Sequence, residues 1–328
     1  MASPKSFGPF PLGMDNRLSG RDLEALDPGT RNRVPLLRSV VNADVDNEGR
    51  IKRRRGRTEV LSASQGHSLW APKDSNVGYF VDGPTMYRVT VNGTNATTAV
   101  MRSDMPIGRP VSFAQVGQDI YYTNGVILAR IDGPYTPDEN VPVESSGVVE
   151  SPLTTKMPPG SIVRYHAGRL LIARDNFLFY SEPYAGWDYD PVRGFIPFPE
   201  PISVVEPCEN GVYVVADKAY WLAGEVATAE LLVVSPHRGV PGTGGSDPDK
   251  VGCWWHSSDG LMRGTNNGEV TPVTAARVAV AGALSGATTL IERDGMKQHV
   301  TSTFGPSSTQ LAARSFMDAE IVRKETEL

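Results

Sequence analysis

A turn of Asp/Asn-Gly type, flanked on both sides by apolar, β-rich runs, recurs along this chain at nearly constant spacing. The segments are GYFVDGPTMYRV, DIYYTNGVILARI, RLLIARDNFLFYS, GVYVVADKAYWLAG, CWWHSSDGLMRG and TTLIERDGMKQHV. Their turns begin at Asp82, Asn124, Asp175, Asp217, Asp259 and Asp294, so successive separations are 42, 51, 42, 42 and 35 residues. A weaker copy, VVNADVDNEGRIKRR, turns at Asn47, another 35 residues upstream. Each copy reads as a β-hairpin: an apolar run, a tight turn, and a second run. A period near ~40 residues with no helical pattern between copies is the mark of a β-propeller, one four-stranded sheet per repeat. The expected fold is therefore all-β, a propeller of roughly six to seven blades. Such a disc carries its function on loops and rims rather than in its core.

The 328 residues suit one closed all-β body, and 33 Gly with 26 Pro suit a turn-dense one. Residues 1–35 read as an irregular N-terminal arm with one short turn of helix around Asp22–Leu26. Residues 36–328 read as the propeller, opening with a hairpin over 36–61. The stretch 133–160 holds six prolines (Pro134, Pro137, Pro142, Pro152, Pro158, Pro159) and coincides with the long interval. It reads as a non-strand loop inserted between blades. Val240–Lys250, rich in glycine, reads as a second flexible loop. Ser315–Arg323 alternates weakly and is expected to be a closing strand that completes the ring.

Little in the chain points to catalysis. The five histidines (His67, His166, His237, His256, His299) show no metal-ligand spacing, and there is no Cys-x-x-Cys. His256 reads as a packed strand residue. The nucleophile-elbow, P-loop and dinucleotide fingerprints are absent, and GTGGSD at Gly242–Asp247 opens no helix. A sialidase-type propeller would repeat Ser-x-Asp-x-Gly-x-x-Trp boxes. The nearest stretch, Ser257-Ser258-Asp259-Gly260-Leu261, has Leu where that Gly belongs. A carboxylate pair for glycoside hydrolysis is a spatial matter that spacing does not decide. The aromatic cluster Phe179, Tyr180, Tyr184, Trp187 and Tyr189 could stack a sugar, but reads first as packing on a blade's outer strand. No enzyme activity, cofactor or metal is expected.

Cys208 and Cys253 form no disulfide framework and suit a reducing compartment. Met1–Ser6 lacks the apolar stretch of a signal peptide, and no run reaches the ~18 apolar residues of a membrane span. The sequons at Asn92 and Asn95 are therefore expected to be idle. The net charge is −5, yet residues 1–60 hold 12 basic and 8 acidic side chains, a local balance of +4. The basic excess centres on Arg53, Arg54, Arg55 and Arg57, beside Arg50 and Lys52. One reading is a solvated edge strand made repulsive against aggregation. The other is an interface, with acidic groups of a neighbouring subunit or with a phosphate backbone.

The N-terminal block GMDNRLSGRDLE…TRNRVPLLRSVVNADVDNEGRIKRRRG resembles the opening of tailed-bacteriophage virion proteins. The residues that carry the likeness are Gly13, Asn16, Leu37, Arg38, Asn42, Asp44, Gly49, Ile51, Arg54 and Gly56. A second similar phrase runs over Leu178–Gly224: LFYSEP, then GWD, FIPFPEPISVV and GVYVVADKAYWLAG. FMDAEIVRKE at Phe316–Glu325 resembles the same group less specifically. That group includes propeller-bearing tail components, among them nozzle proteins of short-tailed phages, which are longer than this chain and carry extra domains. The resemblance implies a virion tail protein synthesised in the host cytoplasm. It would act by assembly into a nozzle or adaptor-like ring of the DNA-ejection machinery. The implied partners are other copies of itself, neighbouring tail, adaptor or fibre proteins, and passing DNA without specific contact. Arg53, Arg54, Arg55 and Arg57 would lie at the interface between copies. The alternative is a receptor- or glycan-binding propeller at the tail tip, and a third reading is a propeller glycosidase.

Overall fold

The computed structural model describes residues 59–132 except 74, 153–274 except 187, 248, 258 and 259, and 283–305 except 294 and 295. Short pieces at 15, 24–26, 31–37, 43–45, 50–53, 142–144 and 314–315 are also described. All regular structure among these residues is β, with no helix. Five four-stranded antiparallel sheets and one three-stranded sheet follow each other along the chain. The first blade is Gly66–Trp70, Val77–Asp82, Thr85–Asn92 and Asn95–Arg102. The second is Ser112–Val116, Asp119–Thr123, Leu128–Ile131 and Pro142–Glu144; the third is Ile162–His166, Arg169–Arg174, Phe177–Tyr180 and Phe195–Pro197. The fourth is Val204–Cys208, Gly211–Val215, Ala219–Ala223 and Leu231–Ser235; the fifth is Gly245–Ser246, Gly252–Ser257, Gly260–Thr265 and Val270–Pro272. The sixth is Ser285–Arg293, Met296–Phe304 and Arg314–Ser315.

First strands of successive blades touch one another from the second blade to the fifth, and the fifth blade's first strand meets Ser285–Arg293. Between the first and second blades, Val111 N–H donates to Ser68 Oγ at 2.8 Å and Trp70 stacks on Phe113 at 5.3 Å. The chain is a β-propeller: meanders laid side by side, each with its first strand innermost.

The repeat found in the sequence is the middle hairpin of each meander. Asn124, Asp175 and Asp217 each fall between the second and third strands of a blade, and Asp82 ends the second strand of the first. In the fifth blade Gly252–Ser257 pairs with Gly260–Thr265, Asp259 itself lying outside the described residues. Asn124 shows how a turn residue does this: its Oδ1 accepts from the N–H groups of Val126 and Ile127, closing an Asx turn. The remaining two copies are hairpins as well, since Arg293 pairs with Met296 and Val45 with Ile51.

The second strands read as continuous apolar runs because both their faces are buried. In DIYYT, Ile120 and Tyr122 pack toward the first blade, while Tyr121 packs toward the third. In RLLIAR, Leu170 and Ile172 face the second blade and Leu171 and Ala173 the fourth. In GVYVV, Val212 and Val214 face the third blade, Tyr213 and Val215 the fifth. Each large side chain so buried contributes roughly 1.5–3 kcal/mol. The core is thus a series of layers between blades.

Three expectations are corrected, and a fourth lies largely outside the described residues. Glu24–Leu26 is not a helical turn; it is a strand paired antiparallel with Arg33–Pro35, and Leu36 and Leu37 just beyond are buried. The Pro-rich stretch is not wholly a loop, because Pro142–Glu144 is the outer strand of the second blade and Thr155–Lys156 pairs with Asp188–Tyr189. Pro142 is tolerated there because an edge strand need not donate on its outer side. Val240–Lys250 is not a flexible loop: it supplies the innermost strand of the fifth blade, and Val240, Thr243 and Asp247 are buried. Arg314–Ser315 joins Met296–Phe304 of its own blade; the rest of the expected closing strand, 316–323, lies outside the described residues.

Candidate functional site: a polar belt on the inner strands

Inner strands offer a second face toward the axis, and on four successive blades that face is polar. Arg164 holds the middle position of Ile162–His166, and Glu206 the middle position of Val204–Cys208. The Arg164 guanidinium meets Glu206 Oε1 through Nη2 at 2.5 Å and Nε at 3.2 Å. Its Nη1 donates to Ser112 Oγ at 3.0 Å and to the Val163 carbonyl at 2.9 Å. Ser112 Oγ also accepts from Val163 N–H at 3.0 Å. On the other side, the Ser246 hydroxyl lies 2.8 Å from Glu206 Oε2 and 3.1 Å from the Pro207 carbonyl. A continuous polar path therefore runs Ser112–Arg164–Glu206–Ser246, one residue from each of the second to fifth blades.

The glycines around Ser246 explain why GTGGSD is so small. A Cβ at Gly244 would stand 2.6 Å from Glu206 Oε1. The main chain passes that close because Gly244 has no side chain. Glu206 is 2% exposed. A carboxylate so deeply placed needs donors for its oxygens, and here Arg164 and Ser246 supply them. The carboxylate thus cross-links the third, fourth and fifth blades.

The seam between fifth and sixth blades is held by a histidine pair. His256, on Gly252–Ser257, is 1% exposed and its ring centre lies 6.1 Å from that of His299, on Met296–Phe304. The ring nitrogens of His299 meet Thr288 Oγ1 at 2.8 Å and Thr301 Oγ1 at 3.2 Å. Trp254 packs on His299 and donates from Nε1 to Asp247 Oδ1, while the Arg263 guanidinium covers its ring. Burial lowers both histidines to about 4; the neighbouring His299 adds to the effect on His256, and Asp247 partly opposes it on His299. Both rings are neutral at pH 7. His256 is thus the packed strand residue expected. Among the described residues no group of three His, Cys, Asp or Glu could hold a metal ion. Cys208 and Cys253 are buried together between the fourth and fifth blades, and burial, then the adjacent Cys208, raises the Cys253 thiol.

The residues expected at an interface are only partly in view. Arg53 ends the strand Ile51–Arg53 and is exposed; Arg54, Arg55 and Arg57 lie outside the described residues. In the aromatic cluster, Phe179 packs edge-on against Tyr189 and tilts against Phe195 of the outer strand. Tyr184 stands apart at 89% exposure, and Trp187 lies outside the described residues. The Arg164–Glu206 pair escaped sequence reading, although a signal exists. The two residues are 42 residues apart, the repeat length, and occupy equivalent positions with opposite charge.

No protein-family model and no curated protein matches this chain. Among solved structures it is similar to Hsv2 of Kluyveromyces lactis, with a TM-score of 0.47, 9% identity, and 81% of this chain and 88% of that chain covered. It is also similar to regucalcin, a calcium-binding protein of Agrobacterium tumefaciens, with a TM-score of 0.43, 10% identity, and coverages of 77% and 85%. An extracellular domain from B. thetaiotaomicron matches with a TM-score of 0.46 at 8% identity, over 71% of this chain, which spans only 30% of that one. These likenesses are remote, and the propeller is established by the order and contacts of the blades themselves.

Proposed function

We propose that this propeller is a structural component of a bacteriophage tail, a nozzle or adaptor-like ring that acts by assembly within the DNA-ejection machinery. The observation that carries this reading is the rim of the fourth blade. Its outer strand, Leu231–Ser235, exposes Leu231, Leu232 and Val233 at 40%, 47% and 57% on a sheet edge. Three consecutive exposed apolar residues on an edge strand are a surface that aggregates unless a partner covers it. A ring of like subunits covers such edges symmetrically. The virion-like phrases around Gly13–Gly56 and Leu178–Gly224 supply the kind of assembly. The polar belt suits the same role, since a load-bearing disc needs blades that do not slide past one another.

The test is the protein content of purified particles. Peptides of this chain are expected at a fixed, multi-copy ratio to the tail proteins, with antibody label at the tail. Their absence from particles that eject DNA normally would overturn the proposal.

A further inference from the structure

We propose that the pocket between the second and third blades, lined by Tyr121, Tyr165 and Tyr184, is a binding site for a neutral pyranose sugar. The pocket is about 100 Å³ and is floored by Val116, Leu170 and two glycines, Gly168 and Gly186. That volume seats part of one sugar ring and leaves the rest in solvent. Tyr184 carries the argument. It is 89% exposed, yet its backbone sits at φ 57, a left-handed conformation that bulky residues rarely adopt. Strain of this kind persists where the surroundings impose it, and it gathers at ligand clamps. Here the surroundings do impose it. Tyr184 N–H donates to the Gly168 carbonyl at 2.7 Å, and the turn is closed by Glu182 N–H on the Asp188 carbonyl at 2.8 Å. The glycines make the space. A methyl at Gly168 would come within 3.1 Å of the Tyr184 ring, and one at Gly186 within 3.0 Å of the Tyr121 hydroxyl.

An exposed aromatic ring, set on a fixed backbone beside a small aromatic pocket, matches the apolar C–H face of a pyranose. The polar half of such a ligand needs fixed donors and acceptors at the rim. Arg130 hydrogen-bonds the pocket-lining Tyr121, and beside it stand the acceptors Asp132, at 2.5 Å, and Asp119, at 3.7 Å. The carboxylate side chains are 37% exposed in Asp119 and 47% in Asp132, so both retain acceptor capacity toward solvent. This group meets the pocket through Tyr121. Burial raises the Tyr121 hydroxyl, a hydrogen bond from Arg130 opposes that, and both aspartates raise it further. Two carboxylates against one guanidinium favour hydroxyl-rich neutral sugars over acidic ones. The site stands independently of the tail assignment.

Saturation-transfer NMR with the full chain tests this. The probes are methyl α-glucoside, methyl β-galactoside, methyl α-mannoside and N-acetylglucosamine at millimolar concentration, with methyl sialoside as the acidic control. Transfer is expected to at least one neutral glycoside, strongest at protons of one ring face, with a Kd of roughly millimolar order. Tyr184→Ala should weaken it about tenfold or more at unchanged melting temperature, because the side chain removed is exposed. Tyr184→Phe should retain it. No transfer to any neutral probe, transfer undiminished in Tyr184→Ala, equal loss in both variants, or preference for the sialoside would each overturn the proposal.

Discussion

Glu206 and Arg164 are unequal partners. Glu206 is enclosed, with its side chain 3% exposed, whereas the Arg164 side chain keeps 24% of its surface in solvent. Removing the arginine strands a carboxylate that cannot reach water; removing the carboxylate strands a guanidinium that can. Arg164→Met is therefore expected to destabilise the protein by about 3–5 kcal/mol, the range for breaking a buried pair. Glu206→Gln should cost clearly less, because the amide oxygen still accepts from Arg164. Urea unfolding of both variants checks the order, and equal losses would show that the pair behaves as a surface contact. Either charge alone reads in the sequence as an ordinary strand residue. Only their common position in the repeat hints that they meet.

Strands and turns carry most of their own instructions. The apolar second strands and the Asp/Asn turns after them are short-range patterns, so the hairpins were legible from residues alone. Elements that depend on a distant neighbour were not. Gly245–Ser246 has no strand-like composition, and it is extended because it pairs with Cys253 and Trp254. Pro142–Glu144 likewise becomes a strand only by lying along Ala129–Ile131. The joint between the fifth and sixth blades should also be sensitive to acid. His256 and His299 titrate at about 4 when folded and near the ordinary value of 6.5 when unfolded. Between these values the unfolded chain takes up protons that the folded one refuses. Stability is thus fully present above pH 6.5 and falls as the pH drops toward 4, by an amount on the order of a few kcal/mol. Melting curves across this window should show the fall, and His256→Gln should flatten it. A slope unchanged in that variant would place the acid sensitivity elsewhere.

At the scale of the whole molecule, apolar layers join the first five blades and a polar belt links the second to the fifth, while charge is distributed unevenly along the sequence. In the ring proposed for this chain, the basic excess of residues 1–60 would meet the acidic remainder of a neighbouring copy. Replacing Arg53, Arg54, Arg55 and Arg57 together by Ser is expected to lower incorporation into particles severalfold. The monomer's melting temperature should change little, since exposed ion pairs within a subunit contribute at most ~1 kcal/mol. Quantifying the protein in purified particles checks this. Wild-type incorporation of the four-Ser variant would reduce the basic run to a solvated strand.

The sequence by itself determined the fold class and the positions of the seven hairpins. Their patterns are local: alternation, apolar runs and turn residues act over ten or so positions and survive reading in one dimension. The tertiary structure alone decided which residues distant in sequence meet. Arg164 with Glu206, His256 with His299, and Tyr184 over Gly168 are such meetings. Two of these pairs join residues about one repeat apart, and the third joins two sides of one blade. Their energies arise from burial and from geometry between strands, and neither quantity exists until the blades are packed.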